Sequence, residues 1–381
     1  MSEDRAKFDA QMMRIALMMA GRGLGLTAPN PSVGAVIADE ATGEVIARAV
    51  TAAGGRPHAE PSAIALAGER AAGKTIYVTL EPCSHYGKTP PCADAIITAG
   101  LKRAVVAIED PDPRVAGRGL DRLRAAGLEV RRGIGAEEAR WITRGHIVRV
   151  TERRPFVTLK MALDSSGSVP QGTGAMPVFV TSPQARAHGH LLRAQADAIL
   201  VGAGTIKADN PQLTCRLPGL EGQSPLRVVL SKSLDILPSA RLFDDSHAVG
   251  VLCVAGFGAD PVRKAMLERQ GAEVALVPVV AGQLWLPAVM EALVARGITR
   301  LLVEGGPGMW AAFGAQSLVD EIALYVAGIA KSGRPAGEAG LPPFALAKSY
   351  SGNLPLAIAD TATFGPDRLW RLRTTHKQEG N

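Results

Sequence analysis

Apolar residues in the first 150 positions of the chain alternate between helical spacing and short buried runs. Helical spacing predicts an amphipathic helix over residues 5–21, ended by the glycines at positions 21 and 23. Its apolar face is formed by Phe8, Met12, Ile15, Ala16 and Met19. We expect strands at residues 35–38, 76–80, 103–108 and 128–131, and helices at 93–99 and 119–126. This β-α-β order predicts a parallel sheet with helices on both faces.

In the second half of the chain, buried runs lead into glycine-rich segments. A strand is expected at residues 156–161, and the apolar runs at 196–201 and 300–303 are each followed by glycines, at positions 202 and 204 and at 305, 306 and 308. Such loops expose backbone N–H groups to phosphates at a helix N-terminus. The sequence has no G-x-G-x-x-G motif with a later acidic residue, so a Rossmann dinucleotide site is not indicated.

A basic segment separates the two halves. Residues 145–155 include Arg149, Arg153 and Arg154 and have no clear apolar periodicity, as is typical of a solvated linker. A chain of 381 residues is long enough for two domains. We therefore expect one domain at residues 1–148 and a second at 149–375, followed by a disordered polar tail at 376–381.

Charge and composition restrict the class of ligand that the protein binds and its location in the cell. The formal charge of +6 suits an anionic ligand, either nucleic acid or a phosphorylated metabolite, although a solvated basic surface explains it equally well. Four Tyr and four Trp are few for base stacking, which argues against nucleic acid. Since neither a signal peptide nor a long apolar span is recognisable, we expect a cytoplasmic protein that does not bind membranes.

The candidate chemistry lies in His58-Ala59-Glu60 and in two cysteines downstream, Cys83 and Cys92. One imidazole and two thiolates form a three-ligand set that leaves a fourth position on Zn²⁺ open for water, as in catalytic zinc sites. Zinc-bound water ionises near neutral pH, and Glu60 can carry its proton to a leaving amine. The pattern predicts hydrolytic deamination. Because Pro61 disfavours helical backbone in the residue before it, we expect the following helix to begin only around Pro61, with Glu60 outside its first turn.

The order of these residues matches the H-x-E…P-C signature of zinc deaminases, with Pro82 before Cys83. The second cysteine follows after eight residues instead of two. This spacing and its filler S-H-Y-G-K-T-P-P resemble the deaminase half of the bifunctional riboflavin-biosynthesis deaminase/reductase family. The resemblance implies a cytidine-deaminase-like three-layer domain, in which Asn30 of P-N-P-S-V-G and His85 contact a pyrimidine. It also implies a small phosphorylated pyrimidine substrate, and we expect a homo-oligomer.

The second half resembles the reductase half of the same family. The matching segments are D-A-I-L-V-G-A-G-T, A-D-N-P-Q-L-T-C-R and L-L-V-E-G-G-P. They imply a dihydrofolate-reductase-like α/β domain that uses NADPH. The implied substrate contacts are Arg193, Leu213, Arg216 and Glu304. The implied coenzyme contacts are Lys160, Leu163, Phe179, Thr205, Asp209, Ser231, Gly306, Pro307 and Gly308. The chain departs from the family pattern at residues 164–167 and 327–333.

Other interpretations of the motifs remain open at this point. The cysteines could be two unrelated buried residues beside a surface histidine. A zinc-stabilised binding protein without catalysis would need a fourth protein ligand, for which His85 is the nearby candidate. A deaminase of nucleic-acid or nucleoside bases, with a second half that does not reduce, would keep the zinc chemistry and change the substrate.

Overall fold

A computed structural model describes residues 3–87, 90–113, 115–169, 179–328 and 343–375. The chain divides between Arg154 and Pro155 into two compact units. The polar tail expected at 376–381 and positions 329–333 of the second family departure lie outside the described residues. No helix in the described part of the chain is long and apolar enough to cross a membrane.

The first unit is built on a five-stranded sheet in the order β2-β1-β3-β4-β5. The strands are β1 (Gly34–Ala38), β2 (Val45–Val50), β3 (Thr75–Val78), β4 (Arg103–Val106) and β5 (Glu129–Arg132). The helices are α1 (Glu3–Arg22), α2 (Ala59–Ala67), α3 (Cys92–Thr98), α4 (Arg118–Ala125) and α5 (Ala136–Glu152). Every residue of β1, β3 and β4 is buried, which requires that both faces of the sheet are covered.

The expectation of a wholly parallel sheet is wrong for this unit. Strands β3, β4 and β5 are parallel, but β1 pairs antiparallel with both β2 and β3. Strand β1 ends at Ala38 and β2 begins at Val45. This connection is far shorter than the roughly a dozen residues that a parallel crossover needs, so the two strands form a hairpin.

The segment that we expected to be a solvated linker is largely helical. Residues 145–152 form the last two turns of α5, whose buried residues are Ala139, Thr143 and Gly145. These buried residues are small, so the usual apolar stripe is weak in the sequence. Small buried residues on one face are sufficient for a helix to pack.

Helix α1 is attached to the sheet by a buried ion pair. The Arg103 guanidinium, 1% exposed, donates two hydrogen bonds to the fully buried Asp9 carboxylate, with N···O distances of 2.7 and 2.8 Å. Tyr77 donates a third, at 2.9 Å, and Glu40 and Glu129 also accept from Arg103. Burial alone would raise the pKa of Asp9, but the bonds from Arg103 and Tyr77 outweigh it and lower that pKa. The carboxylate is therefore ionised and paired at neutral pH.

Replacing Asp9 with alanine should destabilise the first unit by roughly 3–5 kcal/mol, because Arg103 would be left as an incompletely paired buried charge. Since folding lowers the pKa of Asp9, its contribution is present above the unfolded pKa of about 4 and is lost as the pH falls through the lower folded value. Urea unfolding at several pH values should therefore show a deficit at pH 7 that shrinks in acid. Asp4→Ala, an exposed change in the same helix, is the control. A deficit that is constant with pH would contradict the ion-pair interpretation.

The second unit contains a nine-stranded sheet in the order β10-β9-β8-β7-β13-β6-β14-β16-β15. Its strands are β6 (Phe156–Leu163), β7 (Ala198–Gly202), β8 (Leu226–Leu230), β9 (Val251–Gly256), β10 (Ala272–Val277), β13 (Arg300–Val303), β14 (Glu321–Val326), β15 (Leu356–Phe364) and β16 (Asp367–Thr374), and the small hairpin β11 (Val279–Val280) and β12 (Gln283–Leu284) lies outside it. The helices are α6 (Pro183–Ala194), α7 (Ala203–Asp209), α8 (Pro261–Arg269), α9 (Leu286–Ala295), α10 (Pro307–Ala315) and α11 (Pro343–Ser351).

The strands from β10 to β14 in this order are parallel, and β16 and β15 complete the sheet as an antiparallel hairpin. The carboxyl ends of β6, β7 and β13 therefore meet at one edge, where open α/β sheets bind ligands. The first family departure follows β6 directly. There the Asp164 carboxylate accepts hydrogen bonds from the backbone N–H groups of Ser166 and Ser168, so it closes a turn.

Candidate active sites

The three expected metal ligands come from three different elements of the first unit. His58 is the N-cap of α2, Cys83 lies in the loop after β3, and Cys92 is the first residue of α3. The Cys92 N–H donates to the Cys83 sulfur at 3.3 Å. The second sulfur thus lies next to the first, as the single-site interpretation requires.

The donor atoms of His58, Cys83 and Cys92 all lie within 4.8 Å of one another. His58 Nδ1 is 3.3 Å from the Cys92 sulfur and 3.8 Å from the Cys83 sulfur. The hydrogen bond from Cys92 lowers the pKa of Cys83 to about 4 despite its burial, so Cys83 is a thiolate at neutral pH. One imidazole nitrogen and two sulfurs fit Zn²⁺, and three ligands leave one coordination position open. Among the described residues, His85 is not part of this cluster.

Glu60 lies inside the first turn of α2, which begins at Ala59. The expectation that this helix starts only at Pro61 is wrong. Proline lacks an N–H, but the N–H groups of a first turn have no intrahelical acceptor, so Pro61 costs no hydrogen bond there. The Glu60 side chain is 3% exposed, and burial raises its pKa to about 7. A carboxyl group with such a pKa can both accept and release a proton near neutral pH.

A cavity of about 230 Å³ opens onto the ligand cluster. Its lining brings together both residues expected to contact the pyrimidine, Asn30 and His85, with the ligands His58 and Cys83 and with Glu60. The sequence analysis did not identify the other polar residues of its lining, which are Thr51, Arg56, Glu81, Asp110, Asp112 and His146. The T-L-E-P-C motif could have pointed to Glu81. Nothing in the sequence pattern pointed to His146, which reaches the cavity from α5.

Asn30 is held in the cavity by its amide. Its Nδ2 donates to the Gly55 carbonyl oxygen at 2.8 Å and lies 3.3 Å from His58 Nε2. Gly55 has a φ of 86°, and a Cβ atom there would lie 2.8 Å from the Asn30 Cβ. This position therefore requires glycine, because any larger residue would displace the amide.

A larger cavity of about 660 Å³ lies at the carboxyl ends of the parallel strands of the second unit. Seven of the residues expected to contact substrate or coenzyme line it: Lys160, Thr205, Asp209, Glu304, Gly306, Pro307 and Gly308. Cβ atoms placed on Gly306 and Gly308 would meet nothing within 4 Å, so a ligand can approach this backbone closely. Pro307 opens the nine-residue helix α10, whose N-terminus favours phosphate groups.

Three expected coenzyme contacts are not in the lining of this cavity. Leu163 is fully buried in the core, and Ser231, 6% exposed, follows β8. Phe179 is 65% exposed, and its ring lies 4.7 Å from the Arg186 guanidinium carbon. Their roles toward a coenzyme stay predictions.

Glu304 is the electrostatic centre of the second cavity. Arg193 donates two hydrogen bonds to its carboxylate, at 2.8 and 2.9 Å, and the Lys160 ammonium lies 3.9 Å away. Burial alone would raise the pKa of Glu304, but Arg193 and Lys160 outweigh it and lower the pKa to about 2. Glu304 is therefore ionised at neutral pH and can only accept hydrogen bonds.

Arg193, Arg216 and Arg241 form a cationic group beside Glu304. Arg193 also donates to the Thr214 carbonyl oxygen, and the Arg216 N–H donates to His190 Nδ1 at 3.2 Å. Burial, and then the positive charges of Arg193 and Arg241, lower the pKa of the exposed Arg216. Leu213 is buried and has a φ of 61°, a conformation that is rare for leucine. Because one carboxylate, Glu304, lies among these arginines, the group is cationic and favours a bound anion.

Comparisons with known proteins agree with these two sites. The family model of the cytidine and deoxycytidylate deaminase zinc-binding region matches residues 6–108, and that of the RibD C-terminal domain matches residues 155–335. The riboflavin biosynthesis protein RibD of Aquifex aeolicus is 37% identical over 321 residues, which cover 84% of this chain and 87% of that protein. RibD of Escherichia coli strain K12 is 38% identical over 333 residues, covering 84% and 87%.

Two solved structures are similar along nearly the whole chain. RibD of Acinetobacter baumannii superimposes with a TM-score of 0.80 at 31% identity, covering 97% of this chain and 99% of that one. The second is from Thermotoga maritima and is described as a diaminohydroxyphosphoribosylaminopyrimidine deaminase/5-amino-6-(5-phosphoribosylamino)uracil reductase. It gives a TM-score of 0.79 at 32% identity, covering 97% and 99%.

Proposed function

This chain belongs to the RibD family, whose members combine a zinc-dependent deaminase with an NADPH-dependent reductase for riboflavin biosynthesis, and we propose how its two units divide that work. The first unit deaminates 2,5-diamino-6-ribosylamino-4(3H)-pyrimidinone 5′-phosphate to the corresponding uracil and ammonia. The second reduces the ribosyl side chain of that product to ribityl. Nothing favours a nucleic-acid or nucleoside base deaminase, because the similarity continues through the reductase half.

In the deaminase site, His58 Nδ1, Cys83 and Cys92 would hold zinc, which supplies an ionised water as the nucleophile. Glu60 accepts the proton of this water and returns it to the amine that leaves as ammonia. Its pKa near 7 allows both transfers. Asn30 and His85 hold the polar edge of the pyrimidine in the cavity.

In the reductase site, NADPH supplies the hydride for C1′ of the opened sugar. Gly306, Pro307 and Gly308 would hold the coenzyme phosphates at the start of α10. Glu304, kept ionised by Arg193 and Lys160, accepts hydrogen bonds from sugar hydroxyls. Lys160 faces the same cavity as a donor. This chain's residues thus orient the sugar against the coenzyme, and the coenzyme supplies the chemistry.

The observation that carries the deaminase assignment is the cluster of three metal donors, two of which, His58 and Cys83, line one cavity together with the buried Glu60. The proposal is tested by supplying the diaminopyrimidinone phosphate with and without NADPH and identifying the products by mass. Without NADPH we expect the deaminated ribosyl compound, and with NADPH the deaminated ribityl compound. A ribityl product that retains both amines would reverse the order of steps.

Three further expectations belong to this proposal. We assign the deaminase to residues 1–148 and the reductase to 149–375 as expected from the sequence, except that residues 149–154 belong to the first compact unit, which ends at Arg154. The partners are the phosphorylated pyrimidine and a second copy of the chain, and not nucleic acid. A metabolic enzyme of this kind acts in the cytoplasm.

Arg216→Ala should weaken catalysis on the phosphorylated substrate by roughly 10–150-fold, because a charge-assisted hydrogen bond to a phosphate contributes about 1.5–3 kcal/mol. The dephosphorylated substrate should lose much less. The measurement is kcat/KM of NADPH oxidation for both substrates in wild type and variant. Arg269→Ala on α8, an exposed arginine whose side chain donates to the Ala265 carbonyl oxygen of its own helix, is the matched control. Equal losses on the two substrates would show that Arg216 does not bind the phosphate.

A further inference from the structure

Glu81 is a buried carboxylate that the mechanism above does not use. It lies three residues after the end of β3 and two residues before Cys83, and it is 4% exposed. Four backbone N–H groups donate to it. The donors to Oε1 are Gly119 at 2.8 Å and Leu120 at 3.3 Å, and the donors to Oε2 are Gly117 at 3.0 Å and Asp110 at 3.1 Å.

These four donors lie in the segment 110–120, of which the structure describes every residue but 114. It comprises the end of the connection from β4 and the first turn of α4. The N-cap of α4, Gly117, has no side chain that could accept from the first turn of the helix. Glu81 provides that acceptor from a different part of the chain. Its negative charge is stabilised at the positive end of the helix dipole, and it also fixes the position of the first residue of the segment.

Gly119 provides an independent observation on the same contact. A Cβ atom at this position would lie 2.1 Å from the Pro82 carbonyl oxygen and 3.1 Å from Glu81 Oε1. The segment therefore packs against Glu81 and Pro82 with no space for a methyl group. The hydrogen-bonded carboxylate of Glu81 and the close contact between Gly119 and the Pro82 carbonyl thus hold the same segment.

The held segment forms one wall of the deaminase cavity, to which it contributes Asp110, Asp112 and Val115. The Asp110 carboxylate lies 3.3 Å from His146 Nε2 and accepts from the Asp112 N–H at 2.9 Å. A shift of the Asp110 backbone would thus disturb three polar side chains that line the cavity, those of Asp110, Asp112 and His146. The metal ligands and Glu60 are on other elements.

We infer that Glu81 is a positioning residue for the deaminase, which holds the wall at 110–120 in the geometry that binds the pyrimidine substrate. This inference rests on the proposed deaminase function. Because the wall contacts the substrate and not the reacting water, loosening it should affect substrate binding more than the chemical step.

The test compares Glu81→Gln and Gly119→Ala with wild type and with Glu109→Gln, in the full chain. Glutamine keeps the shape of the side chain, but its NH₂ group would face two backbone N–H donors, so at least one end must release the segment. Glu109→Gln makes the same chemical change at an exposed position whose carboxylate pairs with Arg132. The readouts are KM and kcat for deamination, bound zinc, NADPH-dependent reduction of the deaminated substrate, and hydrogen exchange of the amides at 110–120.

We expect KM for deamination to rise by about 10–100-fold in both variants, as for the loss of a charge-assisted bond, with kcat within about threefold of wild type. Zinc content and reduction should be unchanged, the amides at 110–120 should exchange faster, and Glu109→Gln should behave as wild type. Unchanged KM, or loss of zinc from Glu81→Gln, would overturn the inference. If Glu81→Gln does not fold, the same measurements on Gly119→Ala test the inference. A wild type that binds zinc but does not deaminate would refute the proposed function itself, and this inference with it.

Discussion

Glu60→Gln is expected to lower kcat for deamination by roughly 10²–10⁴-fold, the usual contribution of a positioned acid–base group. The amide keeps the shape of the side chain but cannot accept the proton of the attacking water. Since Glu60 is not among the three metal donors, the variant should bind as much zinc as wild type. Ammonia release and metal analysis on the same sample measure both quantities.

The matched control for this variant is Glu69→Gln, which makes the same change at an exposed glutamate in the turn after α2. It should keep wild-type deamination. Loss of zinc in Glu60→Gln would show that Glu60 is a ligand and would invalidate its assignment as the proton carrier.

Cys83→Ala should abolish both zinc binding and deamination, because a site with one imidazole and one thiolate retains too few ligands for tight binding. NADPH-dependent reduction of the deaminated substrate should persist, since the second cavity lies entirely in the other unit. This retained activity would show that the second unit is folded, and circular dichroism of the full chain would check the first. The measurements are zinc per chain and the two activities.

Cys253→Ala is the control for Cys83→Ala. Cys253 is a free, fully buried cysteine of β9, outside the lining of both cavities described above. It should keep zinc and both activities. A Cys83→Ala protein that still binds one zinc per chain and deaminates would refute the three-ligand site.

Local sequence patterns were sufficient to predict those features of the protein that depend on residue type. His58, Glu60, Cys83 and Cys92 predicted the zinc deaminase, and the comparisons confirmed the family, the fold class, zinc and NADPH. Glycine after an apolar run predicted the sheet edge at which we place the coenzyme phosphates, since few other residues let a ligand approach the backbone. The individual roles of the site residues remain predictions.

The sequence patterns gave wrong expectations where contacts between neighbouring elements determine the local structure. The local restriction that Pro61 places on Glu60 was outweighed, because the first turn of α2 needs no N–H from proline. The weak periodicity of residues 145–152 concealed a helix that packs on small residues. The direction of β1 depended on the length of its connection to β2, which strand patterns do not encode.

The sequence by itself thus predicted the metal donors, the proton carrier and a two-domain organisation from residue types and their spacing, and the resemblance of its motifs to a known family implied the coenzyme. Only the tertiary structure decided which distant residues complete the sites. His146 reaches the deaminase cavity from α5, Arg193 pairs with Glu304 across 111 positions, and Glu81 holds the segment at 110–120. These contacts arise from strand order and helix packing, which bring together residues whose separation along the chain carries no periodic signal.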